Sequence, residues 1–337
     1  MSNRALVLQS PGLEALAFED REVPTPGPGE AVVRLRASCL NYHDFVVLKG
    51  LQPSVEYPRV PLSDGAGEVV AVGEGVTRVV AGSRVCANFY RDWVAGPPEP
   101  QHWASVFGDA IDGCAQQYLR LPADALAVTP SHLSDLEAAT LPCAGVTAWA
   151  SLERAGLRSG ETVLVQGTGG VSIFGLQLAK ARGCRVIVTS SSEAKLERAK
   201  TLGADETIHY LERPDWDEAA RELTDGRGVD LTIDVGGEQT LGRAISAAAT
   251  GGRIAMVGIL SGFGNADFNP AATFTKQVSL FGIAVGSRAD FDAMNRSIEA
   301  SQLHPVISDA FSLSDTAQAC GLMESGGHFG KIALTIS

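Results

Sequence analysis

The chain has 337 residues, 45% hydrophobic and 20% charged, which suits about two packed domains and excludes a disordered chain. Lys plus Arg number 27 against 39 Asp plus Glu, so the net charge of −12 repels phosphate backbones and argues against nucleic acid as a partner. No apolar run reaches the roughly 18–20 residues that span a bilayer, and the start lacks a secretory leader pattern, so a cytoplasmic protein with no membrane partner is expected.

The first third is β-rich. Pro24–Gly29 is a loop, Ala31–Ala37 alternates apolar and polar residues, and Gly67–Gly73 and Ser83–Ala87 are short strand-like runs bounded by small residues. Residues 88–113 form a long loop with two tryptophans, a Phe-Tyr pair and a Gly-Pro-Pro break. Such a loop is either functional, with Trp93 and Trp103 as a lid, or a surface excursion pinned by its own aromatics. From about residue 128 apolar runs alternate with helical stretches. Strands are expected at 162–166, 185–189, 229–235, 253–257 and 278–285, with helices over 171–182, 193–202 and 290–300. That alternation predicts a doubly wound parallel sheet covered on both faces. The six cysteines are scattered without a C-x-x-C, the pattern of reduced thiols rather than of a disulfide framework or a structural zinc lobe.

The strongest local signal is Gly167-Thr168-Gly169-Gly170-Val171-Ser172, which follows a strand and opens a helix. Glycines there permit a tight turn and let backbone approach a pyrophosphate, and the helix N-terminus offers unpaired N–H groups. Gly167, Gly169, Gly170 and Val171 are therefore candidate dinucleotide contacts. An acid expected about 20 residues on, for the ribose of NAD, is replaced by Ser190, Ser191 and Ser192. Hydroxyls there accommodate a 2′-phosphate by donating to it, and Lys195 is placed to pair with it, which favours NADPH. Val235-Gly236 and Val257-Gly258 end parallel strands, where ligands of such sheets bind.

These residues, with Asn41-Tyr42-His43-Asp44, Ser63–Val69, Leu141–Trp149, Leu202–Asp205 and Phe329-Gly330-Lys331, resemble the medium-chain dehydrogenase/reductase family over essentially the whole chain. The resemblance implies an α/β protein: a GroES-like β-rich catalytic domain (1–127 and 286–337) and a Rossmann domain (128–285). It also places Thr147, Tyr210 and Lys331 near the cofactor, and suggests a homodimer through the edge strand at 278–285. Zinc-using members carry cysteine, histidine and cysteine where this chain has Asn41, Ser63 and Cys143, so it looks like the zinc-free branch, similar to quinone oxidoreductases and enone reductases. In that branch Asn41 is a candidate to donate to a substrate oxygen or to hold the nicotinamide, Tyr42 to donate or to form an aromatic wall, Asp44 to orient its neighbours, and Asp64 to hydrogen-bond Asn41 or to cap a turn. The expected substrate is a small carbonyl compound, enone or quinone. The alternatives are an alcohol dehydrogenase or carbonyl reductase, and an NADPH-binding structural protein comparable to the lens crystallin relative.

Overall fold

A computed structural model describes residues 2–262 and 264–337. They form two compact units, Met1–Val146 with Val285–Ser337, and Thr147–Ala284.

In the first unit β1 (Ser2–Leu8) and β2 (Leu16–Glu22) make an antiparallel hairpin that the sequence pattern leaves unread. The alternating run becomes β3 (Glu30–Leu40), which leads into α1 (Tyr42–Leu48). Next come β4 (Asp64–Val72), β5 (Arg84–Ala87), β6 (Tyr118–Pro122), β7 (Leu126–Val128) and the short α2 (Asp135–Ala138). Val33, Leu35, Val69, Val85 and Leu121 point inward from these strands and pack with Phe107 and the α1 residues Val47 and Leu48. That burial drives the unit's folding. Residues 128–146, which the sequence pattern groups with the second domain, belong to this unit. Cys86 Sγ donates to Ala138 O at 3.3 Å, and Arg84 pairs with Asp135 at 2.8 Å. The change of periodicity at 128 marks the end of β7 and not the end of the packed unit.

The helix α3 (Val146–Arg154) opens the second unit. There β8 (Thr162–Gln166), α4 (Gly170–Ala181), β9 (Arg185–Ser190), α5 (Glu193–Thr201), β10 (Glu206–His209), α6 (Trp216–Glu222), β11 (Val229–Asp234), α7 (Leu241–Ala247), β12 (Ala248–Met256), α8 (Pro270–Lys276) and β13 (Ser279–Gly282) alternate as expected. All neighbouring strands are parallel, in the order β10-β9-β8-β11-β12-β13. The last strand is shorter than the apolar run 278–285 suggested. Leu164, Ile187 and Ile254 pack with Trp216, Leu241 and Ile245. Successive strand residues point to opposite faces. The order reverses direction between β8 and β11, the switch point at which such sheets take ligands beyond the strand C-termini.

The chain then returns to the first unit through α9 (Arg288–Ser301), β14 (Ile307–Ser312), α10 (Thr316–Glu324) and β15 (Lys331–Thr335). Its seven-stranded sheet runs β14-β15-β3-β4-β5-β7, with β6 also on β3.

Candidate active site

Strand register assembles the first cluster. Beside β3, Leu40 lies opposite Ile332 of β15, and Cys39 lies opposite Asp64 of β4. The neighbouring residues Asn41, Ser63, Asp64 and Lys331 therefore meet at one end of three adjacent strands. Asn41 is the N-cap of α1, and Asp44 closes a capping box by accepting from Asn41 N at 2.9 Å. The other Asp44 oxygen accepts from Ser63 N at 2.8 Å, so Asp44 ties the start of α1 to the residue before β4. Asn41 Nδ2 donates to Ser63 Oγ at 3.2 Å. The buried Lys331 ammonium donates to Leu40 O at 3.1 Å and to Asn41 Oδ1, and stands 3.8 Å from Asp64 Oδ2. Asp64 Oδ1 accepts from Cys143 N at 3.1 Å. Burial pushes the Asp64 carboxyl up to about 7, with Lys331 pulling it down and Asp44 pushing it further up. Burial also raises the Cys143 thiol well above its ordinary range, so it is no ready thiolate.

Tyr42 is about half exposed and rests against Phe45. His43 is held on two sides. Its Nε2 lies 3.0 Å from Asp109 Oδ2, which also accepts from Gln52, and its ring meets Phe89 edge-on. Phe89, Tyr90, Trp93 and Trp103 form a chain of edge-to-face contacts, and Arg288 N and Ala289 N donate to Trp93 O and Val94 O. The loop is thus pinned by its own aromatics and by the start of α9.

The second unit holds the glycine turn. Gly167 has φ +73° with open space where a Cβ would stand, and Gly169 is the N-cap of α4, so no side chain there covers the first-turn N–H groups. Ser172 Oγ donates back to Gln166 O at 2.6 Å. Close helix–strand packing rests on Gly175, a residue the sequence motif did not single out: a Cβ there would lie 2.8 Å from Ile233 Cδ1. The fully buried Asp234 is a second omission. Its Oδ1 accepts from Gly236 N, Gly237 N and Thr240 Oγ1, while Oδ2 accepts from Gln166 Nε2 at 3.0 Å, tying β8 to β11 at the switch point. An acid ending an apolar strand was the available signal. Gly258 packs on Val235, where a Cβ would meet Val235 O at 2.5 Å. Ser190 is buried at the end of β9, Ser191 is exposed, and Tyr210 N donates to Ser190 O at 3.0 Å. Lys195 is partly buried on α5, and burial, then Arg198, hold its ammonium below the usual lysine value. Thr147 is buried in α3, with its carbonyl accepting from Ser151.

The profile of the alcohol dehydrogenase GroES-like domain matches residues 27–131, and that of zinc-binding dehydrogenases matches 170–300. A zinc-type alcohol dehydrogenase-like protein of Schizosaccharomyces pombe is 42% identical over 333 residues, 96% of each chain. The chain belongs to the medium-chain dehydrogenase/reductase family. As such it is an oxidoreductase using a nicotinamide cofactor. Among other members, an acryloyl-coenzyme A reductase of Metallosphaera sedula is 29% identical, covering 94% of this chain and 96% of its own. A protein of Sinorhizobium meliloti, provisionally described as an alcohol dehydrogenase, superposes with TM-score 0.94 at 38% identity, covering 99% of each chain. An NAD-dependent alcohol dehydrogenase superposes at 0.90 with 36% identity, covering 99% of this chain and 100% of its own.

The nicotinamide cofactor fits the second unit. The open cradle over Gly167, the uncapped α4 terminus and the buried Gln166 Oε1, which has no hydrogen-bond partner among the described residues, all suit a polar ligand. Zinc fits poorly in the first unit. A catalytic zinc wants three thiolate, imidazole or carboxylate ligands and an open position. An amide, a hydroxyl and a thiol stand at the three matching positions, so only Cys143 offers a usual zinc ligand, and the amide oxygen already accepts from an ammonium.

Proposed function

We propose that this chain is an NADPH-dependent reductase that delivers hydride to an α,β-unsaturated carbonyl or quinone without a catalytic metal, as a cytoplasmic homodimer. The observation carrying it is the hydrogen-bonded set Lys331–Asn41–Ser63 where zinc-using members hold their metal. Bound NADPH would supply the hydride. The chain's own task is then to stabilise charge developing on the substrate oxygen, which preorganised N–H and O–H donors do well in a site of low dielectric. An enolate or quinol oxygen needs less help than an alkoxide, which suits donors without a Lewis acid. Likeness to an acryloyl-coenzyme A reductase supports the enone. Asn41, Tyr42, Asp44 and Asp64 serve the substrate side. Gly167, Gly169, Gly170, Val171, Val235, Gly236 and Gly258, with Thr147 and Tyr210, serve the dinucleotide. Ser190, Ser191 and Lys195 recognise its 2′-phosphate.

The names of two similar proteins favour a second reading, an NAD-dependent alcohol dehydrogenase. A panel of enones, quinones, aldehydes and alcohols, run with NADPH and NADH, with and without a chelator, separates the two. Enone or quinone turnover with NADPH that survives chelation is expected. Activity that tracks bound zinc, or that prefers NADH, overturns the metal-free or the NADPH assignment respectively. Lys195→Ala should weaken NADPH binding about 10-fold or more, the scale of one charge-assisted contact, and leave NADH nearly unchanged. Equal weakening of both removes the 2′-phosphate role.

A further inference from the structure

Lys331 has its ammonium engaged inside the cluster around Asn41. It is buried, emerges from β15 beside the end of β3, and donates to Leu40 O and Asn41 Oδ1. An ammonium only donates, whereas a side-chain amide has one accepting end and one donating end. The amide oxygen of Asn41 must therefore face Lys331. Its nitrogen is turned away from the ammonium, where Ser63 Oγ accepts one N–H at 3.2 Å. Flipping the amide would set Nδ2 against the ammonium, and although Ser63 Oγ could then donate to Oδ1, no N–H would remain on that side for a substrate oxygen. The backbone of Asn41 is separately fixed by Asp44, which leaves the amide's sense as the freedom that Lys331 removes.

We propose that Lys331 is a positioning residue that locks the Asn41 amide with its N–H side toward the substrate oxygen. This rests on the assignment of Asn41 to the substrate side made above. The cation also holds Asp64, buried 3.8 Å away, in reach of its counter-charge. The same residue thus keeps the donor oriented and limits the negative charge beside it.

The test is a double-mutant cycle on kcat and KM for whichever carbonyl acceptor the wild type reduces, with Lys331→Met, Asn41→Ala and the double variant. Lys331→Met should lower kcat by about 10–100-fold, the range for losing one aimed donor, with KM for the cofactor unchanged. In the Asn41→Ala background it should lower kcat no further. An equal loss in both backgrounds overturns the proposal, as does a loss confined to cofactor KM. Lys331→Arg should restore part of the lost kcat. Asn41→Asp provides a variant that keeps the acceptor for Lys331 while deleting the N–H donors, and it decides the matter if Lys331→Met fails to fold. It should melt at or above the wild-type temperature and still lose kcat as Asn41→Ala does. Wild-type turnover by Asn41→Asp overturns the proposal. A wild type that reduces saturated aldehydes and no enone overturns the enone assignment alone, because those aldehydes also present an oxygen to Asn41 and the cycle runs on them.

Discussion

Burial works against a charge on His43, but hydrogen bonds to Asp109 and then Asp44 outweigh it and push the imidazolium up to about 9. The ordinary value is near 6.5, so the folded state binds the proton more tightly than the unfolded chain does. The stabilisation is complete below pH 6.5 and is lost as pH rises through 9. His43→Gln should therefore cost about 1–2 kcal/mol at pH 6, and the gap should close by about pH 9.5. Urea unfolding at the two pH values measures it, and a gap independent of pH would show that the ring acts by packing alone. Leu62 illustrates another single-residue constraint. It sits at φ +74° immediately before Ser63 and Asp64, where an L side chain is rarely found, with its side chain fully buried. Its carbonyl accepts from Cys114 N at 2.7 Å, and a Cβ on Gly113 would come within 2.2 Å of that same oxygen. Neither feature announces itself in a Pro-Leu-Ser-Asp sequence.

The strand–turn–helix of residues 162–181 was legible because every interaction that specifies it is local. The buried run, the glycines and the helical spacing lie within twenty residues. The cluster around Asn41 was legible only in part. Asn41 and Asp44 show as a motif, but the Lys331 contact joins residues 290 apart and the Asp109 contact to His43 joins residues 66 apart, both fixed by how distant segments fold together. The packing glycine was missed for a similar reason: Gly175 matters because of Ile233 on another strand. Gly175→Ala gains about 1 kcal/mol of helix propensity against an overpacking cost of about 1–3 kcal/mol, so it should be nearly neutral or mildly destabilising. Gly175→Val adds β-branched bulk without that gain and should destabilise by about 2–3 kcal/mol, lifting α4 from the sheet and weakening dinucleotide binding with it. Denaturant unfolding and cofactor fluorescence test both effects. A fully stable Gly175→Val would mean that the helix does not need this close approach.

For the whole molecule, the parallel sheet of the second unit leaves two edges. At β10, Glu206 is engaged by Arg185 of the neighbouring strand, which places charge beside that edge. At β13 the residues are Ser279, Leu280, Phe281 and Gly282, with Leu280 about half exposed and Phe274 of α8 82% exposed. Ile259, Leu260 and Phe268 add exposed apolar surface in the same stretch of sequence. An unpaired strand with apolar flanks is an association template, and a two-fold axis lets one copy's edge pair with another's so that the assembly closes. The net charge of −12 on each chain opposes that pairing, so moderate salt should tighten it by screening. Light scattering after size exclusion should give twice the 35.2 kDa chain mass for the wild type. Leu280→Lys with Phe274→Glu should give the single mass with an unchanged circular dichroism spectrum. If the double variant keeps the wild-type mass, the copies meet elsewhere. If the wild type is itself a monomer at micromolar concentration, this edge is left unpaired and the homodimer assignment fails.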